Sequence, residues 1–294
     1  MRTGHSSTRR RVLLALAALP AARIAGAAED IESKRTGGPY VPTPQVVVDE
    51  MLRIGKVGPD DFVVDLGSGD GVIVLTAAAK LKARGFGVDI DPELVKLSNA
   101  EAKKRGVAER AAFQVQDVFK ADLGRATVVT LYLLPHMMIE LQPKIFSELR
   151  PGTRVVSHDY RFSDEWMPDD QFTWDVPEKE KVNGVPRATV YLWVVPVKVA
   201  GRWQVSVAAP ANEKFELTLR QNFGNIDGTV VGNAAKGVKL TQSGVRGEEI
   251  TFAFPSGGGR HQFRGRVAGE TMEGGVQLAG GKGTARWTAI RIRA

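Results

Sequence analysis

The stretch DFVVDLGSGDGVIVLTAAAK, residues 61–80, joins an apolar run to an alanine-rich segment through a loop with three glycines and two aspartates. The pattern predicts a buried strand, a tight loop and a helix. Loops of this kind usually present backbone N–H groups and a helix N-terminus to a phosphate, and both attract negative charge. Asp65 and Asp70 would repel a diphosphate, so the loop indicates a ligand with positive charge.

A third carboxylate follows the next predicted strand, where Asp89 lies 18 residues after Gly71. That spacing is typical of an acid that accepts hydrogen bonds from ribose hydroxyls in a βαβ unit. The glycines allow the backbone to approach a ligand and give the helix room against the strand. An adenosine compound that carries a sulfonium and an ammonium group satisfies both observations, and S-adenosylmethionine is that compound.

Apolar runs alternate with amphipathic segments over residues 46–195, which predicts an α/β fold with a doubly wound, mostly parallel sheet. This part should end in an antiparallel hairpin, QFTWDV and ATVYLWVVPV, around a loop PEKEKVNGVP. After residue 196 no helix is predicted, and short alternating runs between glycines predict a small all-β antiparallel barrel or sandwich. We expect three parts: a leader at 1–27, an α/β domain at 28–197 and a β-rich domain at 198–294.

The first 27 residues read as a cleavable signal peptide, with a basic start, a short apolar core and a small-residue cleavage pattern at 25–27. The run TRRRVL at residues 8–13 fits the twin-arginine type. We therefore expect a periplasmic or secreted protein, or a cytoplasmic one if this start is not part of the natural chain. No later apolar run reaches the length of a spanning helix.

Charge is distributed unevenly along the 294 residues, whose formal net charge is +7. The leader holds five arginines and no acid, residues 28–197 carry a net charge of −5, and residues 198–294 carry +7. The basic last part is compatible with binding to an anionic surface, but scattered surface lysine and arginine are the simpler interpretation, and we expect no nucleic-acid partner. The absence of cysteine excludes disulfides, thiolate metal sites and a cysteine nucleophile, and the histidines form no metal-ligating pattern.

Residues 39–195 resemble the class I S-adenosylmethionine-dependent methyltransferases, whose first motif is matched by VDLGSGDG at 64–71. The resemblance implies a Rossmann-like fold, S-adenosyl-L-methionine as cofactor and methyl transfer as the activity. It implies that Asp65, Gly67, Gly69 and Asp70 line the methionine part of the cofactor and that Asp89 binds the ribose. Ile90 would pack against adenine, Asp117 would accept from the adenine amino group beside Val118, and Leu131 would line the site after the fourth strand. Asp117 is alternatively a helix N-cap.

The loop after the fourth strand reads LYLLPH at 131–136 and lacks the Asn-Pro-Pro-aromatic motif of adenine-N6 and glutamine methyltransferases. Together with GPYVPTP at 38–44 it resembles the small lysine methyltransferases that act on the ATP synthase c subunit and the adenine nucleotide carrier. This resemblance implies an amine acceptor, such as a protein lysine, and no nucleic-acid substrate. Tyr40, Tyr132 and His136 are the candidate catalytic residues for the acceptor channel.

Two other functions stay open on the sequence alone. The leader and the basic β-rich region are compatible with an exported binding protein without catalytic activity. A nicotinamide-dependent oxidoreductase shares the fold but should have the G-x-G-x-x-G spacing, which this loop lacks. His158 and Asp159 follow the fifth strand, but adjacent strand residues point to opposite faces, so their pairing is expected only if the chain bends there. The sequence does not predict the oligomeric state.

Overall fold

The chain forms two β-sheets, of seven and nine strands, in the computed structural model, which describes residues 38–232 and 236–293. The leader at 1–27 lies outside the described residues. The helices are α1 (Gln45–Ile54), α2 (Val72–Leu81), α3 (Pro92–Lys104), α4 (Pro135–Glu148) and α5 (Pro177–Asn183). The first sheet contains β1 (Phe62–Leu66), β2 (Arg84–Asp89), β3 (Ala111–Val115), β4 (Val128–Leu131), β5 (Arg154–His158), β6 (Asp170–Asp175) and β7 (Arg187–Val194). The second contains β8 (Gly201–Val207), β9 (Glu213–Asn222), β10 (Asn225–Gly232), β11 (Lys236–Lys239), β12 (Gln242–Arg246), β13 (Glu249–Ser256), β14 (Gly259–Ala268), β15 (Thr271–Gln277) and β16 (Thr284–Arg291).

The seven-stranded sheet has the order β3-β2-β1-β4-β5-β7-β6. Its first five strands are parallel, and β7 pairs antiparallel with both β5 and β6. The strand order reverses between β1 and β4, which makes the carboxyl ends of these strands the expected ligand site of an open α/β sheet. The predicted Rossmann-like fold is confirmed, with its antiparallel hairpin at the edge.

Local sequence explains where the helices that follow β1 and β2 begin. The Asp91 side chain caps α3 by accepting from the backbone N–H of Glu93 at 2.8 Å, and Pro92 occupies the first turn. Helix α2 begins directly after Gly71, which has a φ of 80°. Most residues of α2 are buried because the helix packs between the sheet and its neighbours.

One element differs from the sequence prediction, because the expected loop between β6 and β7 contains α5. The helix ends at Gly184 in the left-handed conformation, with Gly184 N donating to Glu180 O at 2.9 Å. Its Lys179 side chain is buried against the sheet. Its sequence carries helix signals, with Pro177 in the first turn, Glu178 near the N-terminus and Gly184 after the last residue, and the buried Lys179 adds the tertiary contact that stabilises so short a helix.

The nine-stranded sheet is antiparallel and curled into a half-barrel, in the order β11-β10-β9-β8-β16-β15-β14-β13-β12. Its two ends approach each other, since Val245 N donates to Gly224 O at 2.9 Å. Four large aromatic residues of its strands are fully buried core side chains: Trp203, Phe252, Phe263 and Trp287. The predicted all-β part is therefore confirmed as a curled sheet with a packed interior.

The two sheets belong to one compact unit, residues 40–294. Phe223, at the tip between β9 and β10, lies 5.0 Å from the Phe146 ring and stacks 5.3 Å from the Trp166 ring. Val197 N donates to Gly247 O at 2.7 Å, close to the expected boundary at residues 197–198. Within the described part of the chain, none of the helices combines the length and apolar character needed to cross a membrane.

Candidate active site

The loop between β1 and α2 is shaped by three glycines, Gly67, Gly69 and Gly71, with φ values of 79°, 52° and 80°. These left-handed conformations are strained for other residues. A Cβ on Gly67 would lie 2.7 Å from the Leu133 side chain, and one on Gly69 would lie 2.6 Å from the Tyr40 ring. The loop is therefore enclosed by side chains from the segment before α1 and the segment after β4.

Asp65 is buried, with 2% of the residue exposed, and its Oδ1 accepts from the Thr130 hydroxyl at 2.7 Å. Burial raises the pKa of this carboxyl to about 7, opposed by the Thr130 bond and reinforced by the negative charges of Asp89 and Asp70. Asp89 accepts from Gly69 N at 2.8 Å and from Asp91 N at 3.0 Å. Asp70 accepts from Val72 N at 3.1 Å.

These three carboxylates lie around one loop, and no lysine, arginine or histidine among residues 38–232 and 236–293 forms an ion pair with any of them. The buried Ser68 hydroxyl beside them also has no hydrogen-bond partner in the described chain. A concentration of uncompensated negative charge disfavours a diphosphate and favours a cation. The residues present therefore fit S-adenosylmethionine, whose sulfonium and ammonium groups are positive.

The predicted adenine-binding residues lie at the carboxyl ends of β2 and β3. Ile90 is an exposed apolar side chain, with 41% of the residue accessible, whereas Val118 is buried. Asp117 Oδ1 caps the short 3₁₀-helix Val118–Lys120 by accepting from Phe119 N at 2.9 Å, and its other oxygen lies 3.6 Å from Lys120 Nζ. The alternative N-cap role of Asp117 is thus present in the structure, and its proposed adenine contact stays a prediction.

The three predicted catalytic residues occupy different environments. Tyr40 packs its ring on Gly69, and burial together with nearby Asp70 raises its pKa above the ordinary value. Tyr132 follows β4 and is half-buried, and burial raises its pKa to about 12, with Asp159 contributing. His136 is exposed in the first turn of α4. Leu131, predicted to line the cofactor, is buried in β4 and packs into the core. The structure thus groups Tyr40 with the cofactor carboxylates and places Tyr132 at the next strand end.

The structure brings His158 and Asp159 together, a pairing that the sequence led us to expect only if the chain bends there. Asp159 has a φ of 61°, so the chain bends directly after β5, and His158 Nε2 lies 3.5 Å from Asp159 Oδ1. The His158 ring lies 4.0 Å from the Tyr132 ring. The buried Lys179 forms an ion pair with Asp159. The condition stated for the pairing, a bend at this point, is therefore met, and Lys179 was missed because its helix was predicted to be a loop.

A cavity of about 640 Å³ lies at the opposite edge of the seven-stranded sheet. It is lined at the amino ends of β1, β4 and β5 by residues such as Asp61, Thr127 and Arg154, and on the other side by Arg246 and Glu249 of the nine-stranded sheet. Arg154 is ion-paired with Asp61 there. This cavity is separate from the carboxylate-rich loop.

The comparisons with known proteins agree with this geometry. Residues 65–170 match the family model described as the ANTKMT methyltransferase domain. A protein-lysine N-methyltransferase of Saccharolobus islandicus is 43% identical over 159 residues, which cover 53% of this chain and 93% of that protein. The chain belongs to this methyltransferase family. The enzyme is thus an S-adenosylmethionine-dependent methyltransferase, as the sequence resemblance implied.

One curated relative and one solved structure match the methyltransferase over different shares of their length. An adenine nucleotide translocase lysine N-methyltransferase of Mus musculus is 32% identical over 44% of this chain and 56% of that protein. The methyltransferase therefore spans just over half the length of this relative. A crystal structure of an RNA methyltransferase from Salinibacter ruber with S-adenosyl-L-homocysteine is 46% identical over 54% of this chain and 96% of that one, with a TM-score of 0.48. The family model ends before the nine-stranded sheet begins.

Proposed function

We propose that this methyltransferase transfers the methyl group to the ε-amino group of a lysine in a protein. The observation that carries the proposal is the group of aromatic and polar side chains at the ends of β4 and β5, beside the loop that holds the cofactor carboxylates. Tyr132 packs on His158, and the Tyr160 ring lies 6.2 Å from that of Tyr132. The name of the Saccharolobus islandicus relative, which the chain covers almost completely, supports the same acceptor.

The positions of these side chains assign cofactor binding and acceptor alignment to different parts of the site. S-adenosylmethionine supplies, when bound, a methyl group that positive sulfur already activates. Asp65, Asp70 and Asp89 would hold the cofactor through its cationic and hydroxyl groups. The chain must then align the acceptor nitrogen and exclude water, because methyl transfer requires an in-line approach of an uncharged amine. Burial of the acceptor amine beside Tyr132 and Tyr160 would remove it from water, and this desolvation disfavours the charged ammonium form.

The test is incubation of the purified full-length enzyme with methyl-labelled S-adenosylmethionine and protein extracts, followed by mass spectrometry of labelled bands. We expect label on protein and its location on lysine side chains. Label confined to nucleic acid or to small molecules, with no methyl-lysine, would contradict the proposal. The variant Asp89→Ala is the matched control, since it removes a cofactor carboxylate without touching the acceptor side.

We also propose that the leader directs export of the enzyme, so that its acceptor is met outside the cytosol. The support is the sequence pattern TRRRVL followed by a short apolar stretch. Fractionation of cells that express the full chain tests this. Recovery of a shortened protein from the periplasm is the expected result, and replacement of Arg10 and Arg11 by lysine should retain the precursor in the cytosol. An uncut protein that stays cytosolic in both cases would contradict export.

A further inference from the structure

The chain is held in an unusual conformation at the carboxyl end of β5. Asp159 has a φ of 61°, in the left-handed region that residues other than glycine rarely adopt. The conformation is fixed by two hydrogen bonds to β7, because Asp159 N donates to Thr189 O at 2.7 Å and Thr189 N donates to Asp159 Oδ1 at 3.1 Å. Strained residues that the surrounding structure fixes in this way are concentrated at functional sites.

Lys179 of α5 supplies the charge that opposes the Asp159 carboxylate. Only 2% of Lys179 is exposed, and its Nζ forms an ion pair with Asp159 Oδ2 and donates to the carbonyl of Arg187. A buried ammonium group needs such a partner, because an unpaired charge away from water is strongly unfavourable. Asp159 is partly exposed, so a ligand can reach its carboxylate, and Lys179 neutralises the carboxylate charge from the buried side.

The groups that face this pair come from β4, β5 and α5. Burial lowers the pKa of His158 to about 4, with Asp159 opposing the effect and Lys179 adding to it, and burial raises the pKa of Tyr132 to about 12. Both side chains are therefore neutral at physiological pH. Tyr160 lies beside Tyr132, whose hydroxyl is 3.4 Å from Asn183 Nδ2. Asp159 and Lys179 are then the two opposite charges of an otherwise neutral cluster of side chains.

We propose that this cluster lines the binding subsite for the acceptor amine, in which Asp159 accepts a hydrogen bond from the amine and Lys179 keeps the subsite free of net charge. A lone carboxylate would bind an amine mainly as its ammonium ion, which has no lone pair for attack. A carboxylate already paired with Lys179 can orient the nitrogen without favouring the charged form. Lys179 is thus a positioning residue that acts through Asp159. This inference rests on the proposed lysine methylation.

The pH dependence of kcat, measured at saturating lysine-containing peptide, distinguishes this role from a structural one, because kcat reports the ionisation of the bound amine. In Lys179→Met the uncompensated Asp159 charge stabilises the ammonium form, so the acidic limb should move to higher pH by about one unit. In Asp159→Asn the remaining Lys179 cation has the opposite effect, and the limb should move to lower pH while the plateau falls. The double variant should return the limb close to its original position.

A binding measurement gives a readout that is independent of turnover. The full-length enzyme saturated with S-adenosylhomocysteine is titrated with n-butylamine, a mimic of the lysine side chain, and followed by NMR. Near neutral pH we expect Lys179→Met to bind the protonated probe about tenfold more tightly than the original enzyme, and Asp159→Asn to bind it more weakly. Equal changes in both variants, or none, would overturn the proposal.

Folding and the proposed function are checked separately. Thermal unfolding and S-adenosylhomocysteine affinity identify a variant that has lost its structure. If Lys179→Met does not fold, Asp159→Asn decides the question, because the asparagine oxygen can still accept a hydrogen bond from Lys179. If the original enzyme methylates no lysine, the function proposed above fails, whereas the butylamine titration still tests the subsite. If lysine is methylated and the acidic limbs coincide, the subsite proposal fails and the function stands.

Discussion

At the residue scale, the central feature is the buried carboxyl of Asp65 within a group of like charges. Its pKa of about 7 results from burial, with Asp89 and Asp70 adding to the effect and Thr130 opposing it. The folded pKa lies above that of the unfolded chain, so ionisation of Asp65 lowers the stability of the ligand-free protein as pH rises from about 4 to 7. A bound cation would relieve this repulsion, which couples cofactor binding to the charge of Asp65.

Cofactor affinity should accordingly rise with pH through the titration of Asp65. Between about pH 5.5 and 7 we expect the affinity for S-adenosylmethionine to increase about tenfold, because the ionised fraction of Asp65 rises while the ligand stays cationic. Calorimetric titration at several pH values measures this. The variant Asp65→Asn should bind weakly and with little pH dependence, and an unchanged pH dependence in this variant would assign the effect to another group.

Replacement of Asp89 tests the ribose side of the site. Asp89→Ala should weaken cofactor binding by about 1.5 to 3 kcal/mol, through the loss of charge-assisted hydrogen bonds. The structure adds a second cause, since Asp89 also accepts from Gly69 N and so holds the glycine-rich loop. Calorimetric titration with S-adenosylhomocysteine measures this loss of binding free energy. Asp164→Ala is the matched control, because Asp164 is an exposed carboxylate whose ion-pair partner is Arg161, and equal affinity in both variants would remove Asp89 from the binding site.

At the element scale, the unit β1, glycine-rich loop, α2 and β2 was predictable because its signals are local. An apolar run, glycines at fixed positions and an acid at the next strand end define it within residues 61–89. Helix α5 was missed although Pro177 begins it and Gly184 follows it, because a helix of seven residues is marginal without a tertiary contact, here that between Lys179 and Asp159, which are distant in sequence. The bend after His158 was missed for a related reason. Hydrogen bonds with Thr189 of a distant strand hold a left-handed conformation that nothing in the local sequence requires.

The β9–β10 tip is the element that attaches the second sheet, through the aromatic side chain of Phe223. Phe223→Ala should lower the free energy of unfolding by about 2 kcal/mol, since it removes packing against Phe146 and Trp166. Phe223 has a left-handed backbone conformation, with a φ of 53°, and alanine in its place would also carry a Cβ. The difference in stability between the two proteins therefore measures the contribution of the aromatic ring. Denaturant unfolding measures it. Val231→Ala on the exposed face of β10 is the control and should change stability by no more than about 0.5 kcal/mol.

At the scale of the whole molecule, the two sheets share contacts that join their unfolding. Phe223 enters the aromatic group of the seven-stranded sheet, and Arg246 forms an ion pair with Asp169 at 3.2 Å. The α/β part could be predicted from its repeating pattern of strands and helices. The position of the second sheet against the first could not be predicted from the sequence, because it depends on contacts among side chains at residues 146, 166 and 223.

We therefore expect a single cooperative thermal transition for the two sheets. Scanning calorimetry should give equal calorimetric and van't Hoff enthalpies for the full chain. Phe223→Ala should broaden or divide this transition, whereas Val231→Ala should leave its shape unchanged. Two separate transitions in the original protein would show that the contacts between the sheets are too weak to couple them.

The placement of the second sheet has a practical consequence. It borders the amino ends of β1, β4 and β5, whereas Asp65, Tyr132 and Asp159 lie at the carboxyl ends of the same strands. Cargo fused to its outer surface, such as a fluorescent label or a solid support, would consequently be carried on the side away from the reacting groups. Immobilised enzyme attached there should keep its turnover rate, even with an acceptor as bulky as a folded polypeptide.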